Sequence, residues 1–101
     1  MEFKRSKQGE ITLLEISGEF DATTAPEVRP QMDAVADEKP KQVVLDLAKL
    51  RLIDSSGVGA IVALFKRVRA NGGHFEVRGV TGQPLSIFQV LRLDKVFGLQ
   101  S

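Results

Sequence analysis

Hydrophobic positions along this chain alternate between two spacings, and each switch marks an element. From Ile11 to Ser17 the apolar residues Ile11, Leu13, Leu14 and Ile16 fit a strand. Lys4 to Lys7, before the Gln8-Gly9 break, supplies a short edge partner in a hairpin. After Gly18-Glu19-Phe20-Asp21 the spacing lengthens, and Val28, Met32, Val35 and Ala36 fall on one helical face. Thr24 and Glu27 read as a capping box, with Pro26 in the first turn, where its missing N–H costs nothing. Glu38-Lys39-Pro40 ends the helix. Pro30 removes one interior bond, which predicts a bent or partly irregular first half.

Val43-Val44-Leu45-Asp46-Leu47 follows as a strand of the buried type. Beyond Leu50 to Gly59, the residues Val58, Ile61, Val62, Phe65 and Val68 recur at helical intervals, and Asn71-Gly72-Gly73 supplies the stop. Phe75 to Val80 is a third long strand. Thr81-Gly82-Gln83-Pro84 opens a third helix with Leu85, Phe88 and Leu91 inward, and Val96-Phe97 closes as a short final strand. Strands alternating with helices predict an α/β fold: a mostly parallel sheet of four to five strands, right-handed crossovers and three to four helices. In such sheets, ligand and partner sites gather outside the carboxyl ends of the strands. Asp21, Asp46 and Asp54 to Gly57 all lie at or near those ends.

Composition narrows the function classes. A chain of 101 residues has room for one domain, and a chain of this size buries roughly two-thirds of its unfolded surface. With 14 basic and 13 acidic residues, the net charge of +1 leaves no electrostatic footprint for nucleic acid or an anionic membrane. Cysteine, tryptophan and tyrosine are absent. That excludes a disulfide framework and a thiolate metal site, and argues against an aromatic binding platform. No apolar run reaches the length of a membrane span, and Met1-Glu2-Phe3-Lys4-Arg5 lacks a signal-peptide core. A soluble, cytoplasmic protein is expected.

The chemistry concentrates in Leu50-Arg51-Leu52-Ile53-Asp54-Ser55-Ser56-Gly57-Val58-Gly59. An acid and two hydroxyls stand where a helix begins, among backbone N–H groups and the positive end of its dipole, a setting that tolerates a phosphate. One cap satisfies a helix and contributes about 1 kcal/mol, yet three candidates stand here in a row. Gly57 and Gly59 do not complete a dinucleotide fingerprint. Val62 fills the third glycine position, and Val77-Arg78-Gly79-Val80 offers no acid at the next strand end. There is no Gly-Lys-Ser/Thr phosphate loop and no nucleophile elbow. The only histidine, His74, belongs to a turn or surface. Asp21, Asp46 and Asp54 offer oxygens suited to Mg²⁺, but carboxylates at loop starts ordinarily cap turns. No catalytic residue, cofactor or metal site is assigned.

Val43 to Gly59, with Asp46-Leu47 and Ile53-Asp54-Ser55-Ser56-Gly57, closely resembles the phospho-acceptor motif of the bacterial anti-sigma factor antagonists, the stand-alone STAS domains. Ile16-Ser17-Gly18-Glu19-Phe20-Asp21 resembles the family's turn before its first helix. Asn71-Gly72-Gly73, Pro84, Leu91, Leu93 and Phe97 extend the likeness, so that residues 1–101 read as a single STAS domain. The resemblance implies a switch. Ser55 is the phospho-acceptor, and Asp21, Asp54, Ser56 and Gly57 form the partner-binding surface, Asp54 orienting the acceptor or its loop and Ser56 capping the helix. The implied partners are a serine kinase with a histidine-kinase-like ATPase fold, which is also the anti-sigma factor, and a metal-dependent serine phosphatase. The alternative is an unphosphorylated STAS accessory subunit of a larger assembly, such as an ABC-type lipid transporter. A nucleotide-binding domain using Gly57-Val58-Gly59 is a third reading.

Overall fold

The computed structural model describes residues 1–99. The chain opens with a hairpin: β1 (Glu2–Gln8) and β2 (Ile11–Phe20) pair antiparallel, from Glu2 opposite Ser17 to Gln8 opposite Ile11. Gly9, at φ +60°, takes the left-handed turn that glycine adopts without a Cβ penalty. β2 then serves as trunk of the sheet. Its first half pairs in parallel with β3 (Gln42–Asp46), and its last residues pair in parallel with β4 (Leu50–Ile53), with a register shift between Gly18 and Glu19. β5 (His74–Arg78) joins β3 in parallel, giving the order β1-β2-β3-β5 with β4 on the far end of β2.

Two helices follow the strand ends, α1 (Ala25–Asp37) after β2 and α2 (Ser55–Ala70) after β4. They pack on each other, and α2 also packs on β5 and β4. α3 (Gly82–Val90) covers β4 and meets the short α4 (Leu93–Val96). Period-two alternation in β2 sends Thr12, Leu14 and Ile16 inward, while Ile11, Leu13 and Glu15 stay half-buried on the other face. The core then joins Leu14, Ile16, Phe20, Val43 and Leu45 to Val28, Val35, Ile61, Leu64, Val68 and Phe88.

The expected α/β architecture is the observed one, a five-stranded sheet that is parallel except for its hairpin, with four helices among the described residues. Several details differ. The fifth strand is Leu50–Ile53, not Val96-Phe97. Phe97 instead ends a helical turn and buries its ring against Phe65, Phe75 and Phe88, at centroid distances of 5.3, 5.9 and 5.6 Å. That aromatic cluster replaces ladder pairing as the means of closing the core. Leu91 was expected inward but is 53% exposed, because α3 stops at Val90 and its apolar face no longer continues. α1 runs through Pro30 without the expected irregularity. The bond removed there is the one to the carbonyl of Pro26 in the first turn, and the ring stands on the exposed face.

Candidate functional site at the start of α2

The β4–α2 junction is built by one carboxylate. Asp54 follows β4 in an extended conformation (φ −117°, ψ −173°), the geometry of an N-cap residue. Its Oδ1 accepts hydrogen bonds from the backbone N–H of Ser56 at 2.9 Å and of Gly57 at 3.1 Å. Its Oδ2 accepts from the N–H of Ala22 at 3.0 Å, and its own N–H donates to the carbonyl of Phe20 at 3.2 Å. Asp54 therefore caps α2 and ties the loop after β2 to the start of α2. The cap is Asp54, and not Ser56 as the resemblance implied. The same bonds revise a second expectation: the N–H groups of Ser56 and Gly57 are already taken and are not free to bind a phosphate.

Gly57 is buried where the two junctions touch. A Cβ there would stand 2.4 Å from the carbonyl oxygen of Phe20 and 2.7 Å from Cγ1 of Ile53, so only glycine fits. Ser56 is half-buried and Ser55, the first residue of α2, is exposed. With Asp54 supplying the cap, the hydroxyl of Ser55 carries no capping duty.

Asp21, the residue after β2, turns on its own loop. Its Oδ1 accepts from the Thr23 N–H at 2.9 Å, the Thr23 hydroxyl at 2.7 Å and the Thr24 N–H at 3.2 Å. These bonds, the Thr23 hydroxyl foremost, hold the Asp21 carboxyl below its ordinary range. The capping box expected of Thr24 and Glu27 is absent. Thr24 has helical dihedrals (φ −100°, ψ −28°) rather than the extended ones a cap requires. Its Oγ1 accepts from the Asp21 N–H at 2.9 Å and lies 3.0 Å from the Glu19 carbonyl.

Gln83 is a site residue that local pattern does not reveal. Its Oε1 accepts from the Ile53 N–H and its Nε2 donates to the Ile53 carbonyl, both at 2.9 Å. The amide thus stands in for a neighbouring strand and fixes the backbone immediately before Asp54. Asp46 turns to other partners, the Ala48 N–H at 2.9 Å and Nε of Arg78 at 3.6 Å. Asp21, Asp46 and Asp54 do not come together as a metal site, and no cluster of three or more His, Asp or Glu suited to a metal ion occurs among the described residues. His74 starts β5, at the amino ends of the parallel strands and away from these junctions.

With an Asp-capped helix start and an exposed serine as the first helical residue on this α/β sheet, the chain belongs to the STAS domain family: the STAS domain model matches residues 2–101. Its relatives include the anti-sigma F factor antagonist of Paenibacillus polymyxa, 37% identical over 68 residues that cover 66% of this chain and 58% of that protein. The anti-sigma-B factor antagonist of Bacillus subtilis is 26% identical over 96 residues, covering 94% and 87% of the two chains. The fold is similar to an anti-sigma factor antagonist from Mycobacterium paratuberculosis, with a TM-score of 0.84 at 23% identity over 97% of this chain and 83% of that one. It is also similar to phosphorylated SpoIIAA of Bacillus, with a TM-score of 0.76 at 19% identity over 93% and 86%. No helix among the described residues is long and apolar enough to cross a membrane.

Proposed function

We propose that this protein is an anti-sigma factor antagonist acting as a partner switch in the cytoplasm, and that it is a regulator rather than an enzyme. Unphosphorylated, it binds a serine kinase of histidine-kinase-like ATPase fold that is also the anti-sigma factor. Phosphorylation of Ser55 by that kinase releases it, and a metal-dependent serine phosphatase restores the binding form. The observation that carries this reading is the division of labour at the start of α2. Asp54 does the capping, which leaves the Ser55 hydroxyl exposed on a fixed backbone and open to a kinase.

Asp21 and Asp54 shape the adjoining loops, Ser56 flanks the acceptor, and Gly57 allows the two loops to meet. A phosphate at Ser55 adds about −1.5 to −2 charges beside Asp54, Asp21 and Glu19. The helix dipole offsets part of that charge within the protein, so the main consequence falls on a docked partner. The test is a pull-down from host lysate with Ser55→Ala and Ser55→Asp baits, followed by calorimetry on the captured kinase. A kinase held by the alanine bait and lost from the aspartate bait is the expected result. Equal affinities, or the same transporter subunits on both baits, would replace the switch with the scaffold reading.

A further inference from the structure

The facing sides of α1 and α2 carry a row of charges that is complete at one end only. On α1 the row is Arg29, Asp33, Asp37, and on α2 it is Ser55, Gly59, Ala63, Arg67, each step being one helical turn. At the carboxyl end the row is satisfied, with Arg67 reaching Asp33 at 3.3 Å and Asp37 at 2.5 Å. At the amino end the cation is on α1 instead. Nη2 of Arg29 lies 3.4 Å from where a Cβ on Gly59 would stand, and Arg29 has no salt bridge among the described residues. The guanidinium thus lies against the Gly59 stretch of α2.

Ser55 is one turn before Gly59 on the same face, about 5–6 Å away between Cβ positions. A phosphoryl group on Ser55 projects toward the start of the helix, and the long, exposed Arg29 side chain can swing one turn along α2 to meet it. Asp54 already takes the N–H groups of Ser56 and Gly57 and adds a carboxylate beside it, which makes a cation the favourable partner there. Arg51, three residues before Asp54 on β4, is paired with Glu19 at 3.4 Å. We infer that Arg29 is the intramolecular receiver of the Ser55 phosphate: the phosphorylated form closes an α1–α2 ion pair over Gly59 and completes the charge row. Phosphorylation then does two things at once. It adds charge at the partner surface and removes a free guanidinium from it.

This rests on Ser55 as the acceptor, and the experiment separates the two claims by installing phosphoserine at position 55 through genetic encoding, without any kinase. The second ionisation of the phosphate is followed by ³¹P NMR against pH. Asp54, Asp21 and Glu19 raise it and Arg29 lowers it, so only a comparison between Arg29 variants isolates the pair. The wild-type value is expected to lie about half a unit or more below that of Arg29→Gln, with Arg29→Lys between them and Arg51→Gln unchanged from wild type. Phosphorylation should also raise the melting temperature of the wild type more than that of Arg29→Gln. Equal phosphate ionisation in wild type and Arg29→Gln overturns the inference. Kinase labelling that persists in Ser55→Ala overturns the acceptor assignment instead.

Discussion

The two βα junctions at the heart of this protein start alike and end differently. Each has an aspartate directly after a parallel strand, Asp21 after β2 and Asp54 after β4, and each opens a helix. Asp54 is extended, so its carboxylate lies over the first turn of α2 and satisfies two N–H groups that would otherwise be orphaned. Asp21 is separated from its helix by Ala22, Thr23 and Thr24, and its Oδ1 bonds back within that loop. The lesson is that one residue type at one topological position can be a clamp or a local turn, depending on how many residues stand before the helix. The β4–α2 junction is fixed from three sides, by Asp54, Gly57 and Gln83. The β2–α1 loop is fixed mainly by itself and by the single bond from Ala22 to Asp54.

The largest effect should come from filling the contact between the junctions. Gly57→Ala places a methyl 2.4 Å from the Phe20 carbonyl, where backbone must move, and should cost about 3 kcal/mol or prevent folding. Gly59→Ala, two residues on, meets only the flexible end of Arg29 at 3.4 Å and should gain up to about 1 kcal/mol from helix propensity. Urea denaturation of the pair measures both. Similar costs at the two glycines would mean that helix position, not the close approach of Phe20, governs them.

Next in size are the two polar clamps. Asp54→Ala removes the cap and the Ala22 tie, for an expected loss of about 1–2 kcal/mol. Asp54→Asn keeps an acceptor and should recover part of it. Gln83→Leu leaves the Ile53 N–H and carbonyl without their partners, for about 1–2 kcal/mol. Gln83→Glu should do little better, because a carboxylate accepts from the N–H but repels the carbonyl. Hydrogen exchange at Ile53 reads this directly. An unchanged rate in Gln83→Leu would remove the amide from the clamp.

The alternating strands and the amphipathic helices could be read from the chain because they rest on local periodicity, which burial rewards one residue at a time. β4 could not be read as a strand. Leu50-Arg51-Leu52-Ile53 is buried only at its two ends, without alternation, since it pairs with the tip of β2 on one side and a glutamine side chain on the other. Gln83 acts thirty residues from Ile53, so no local pattern carries its role. The candidate stretch Asp54-Ser55-Ser56-Gly57 stood out in the chain by its residue types, whereas the assignment of the cap within it did not. Three consecutive cap formers compete, and the backbone angle at Asp54 decides among them. At the carboxyl end, Val96-Phe97 resembled a strand because an apolar pair says nothing of how its aromatic ring finds the core.

The smallest effect belongs to the self-contained loop and sharpens the contrast with Asp54. Hydrogen bonds from the Thr23 hydroxyl and N–H hold the Asp21 carboxyl below its ordinary value of 3.8. A carboxyl with a depressed folded value stabilises the fold above its unfolded value, and that contribution fades as pH falls through the folded value. Asp21 should therefore matter fully at neutral pH and lose its influence only in the acid range below about pH 4. Thr23→Ala removes the first of these bonds, so the Asp21 carboxyl should titrate closer to 3.8 by NMR. Stability curves of wild type and Thr23→Ala should differ slightly at neutral pH and converge on acidification. The loop of Asp21 is exposed, and the charge state of its carboxylate is set within four residues. A Thr23→Ala variant that leaves the Asp21 titration unmoved would show that the N–H groups of Thr23 and Thr24, and not the Thr23 hydroxyl, set that charge state, so that the backbone of the loop alone orders it.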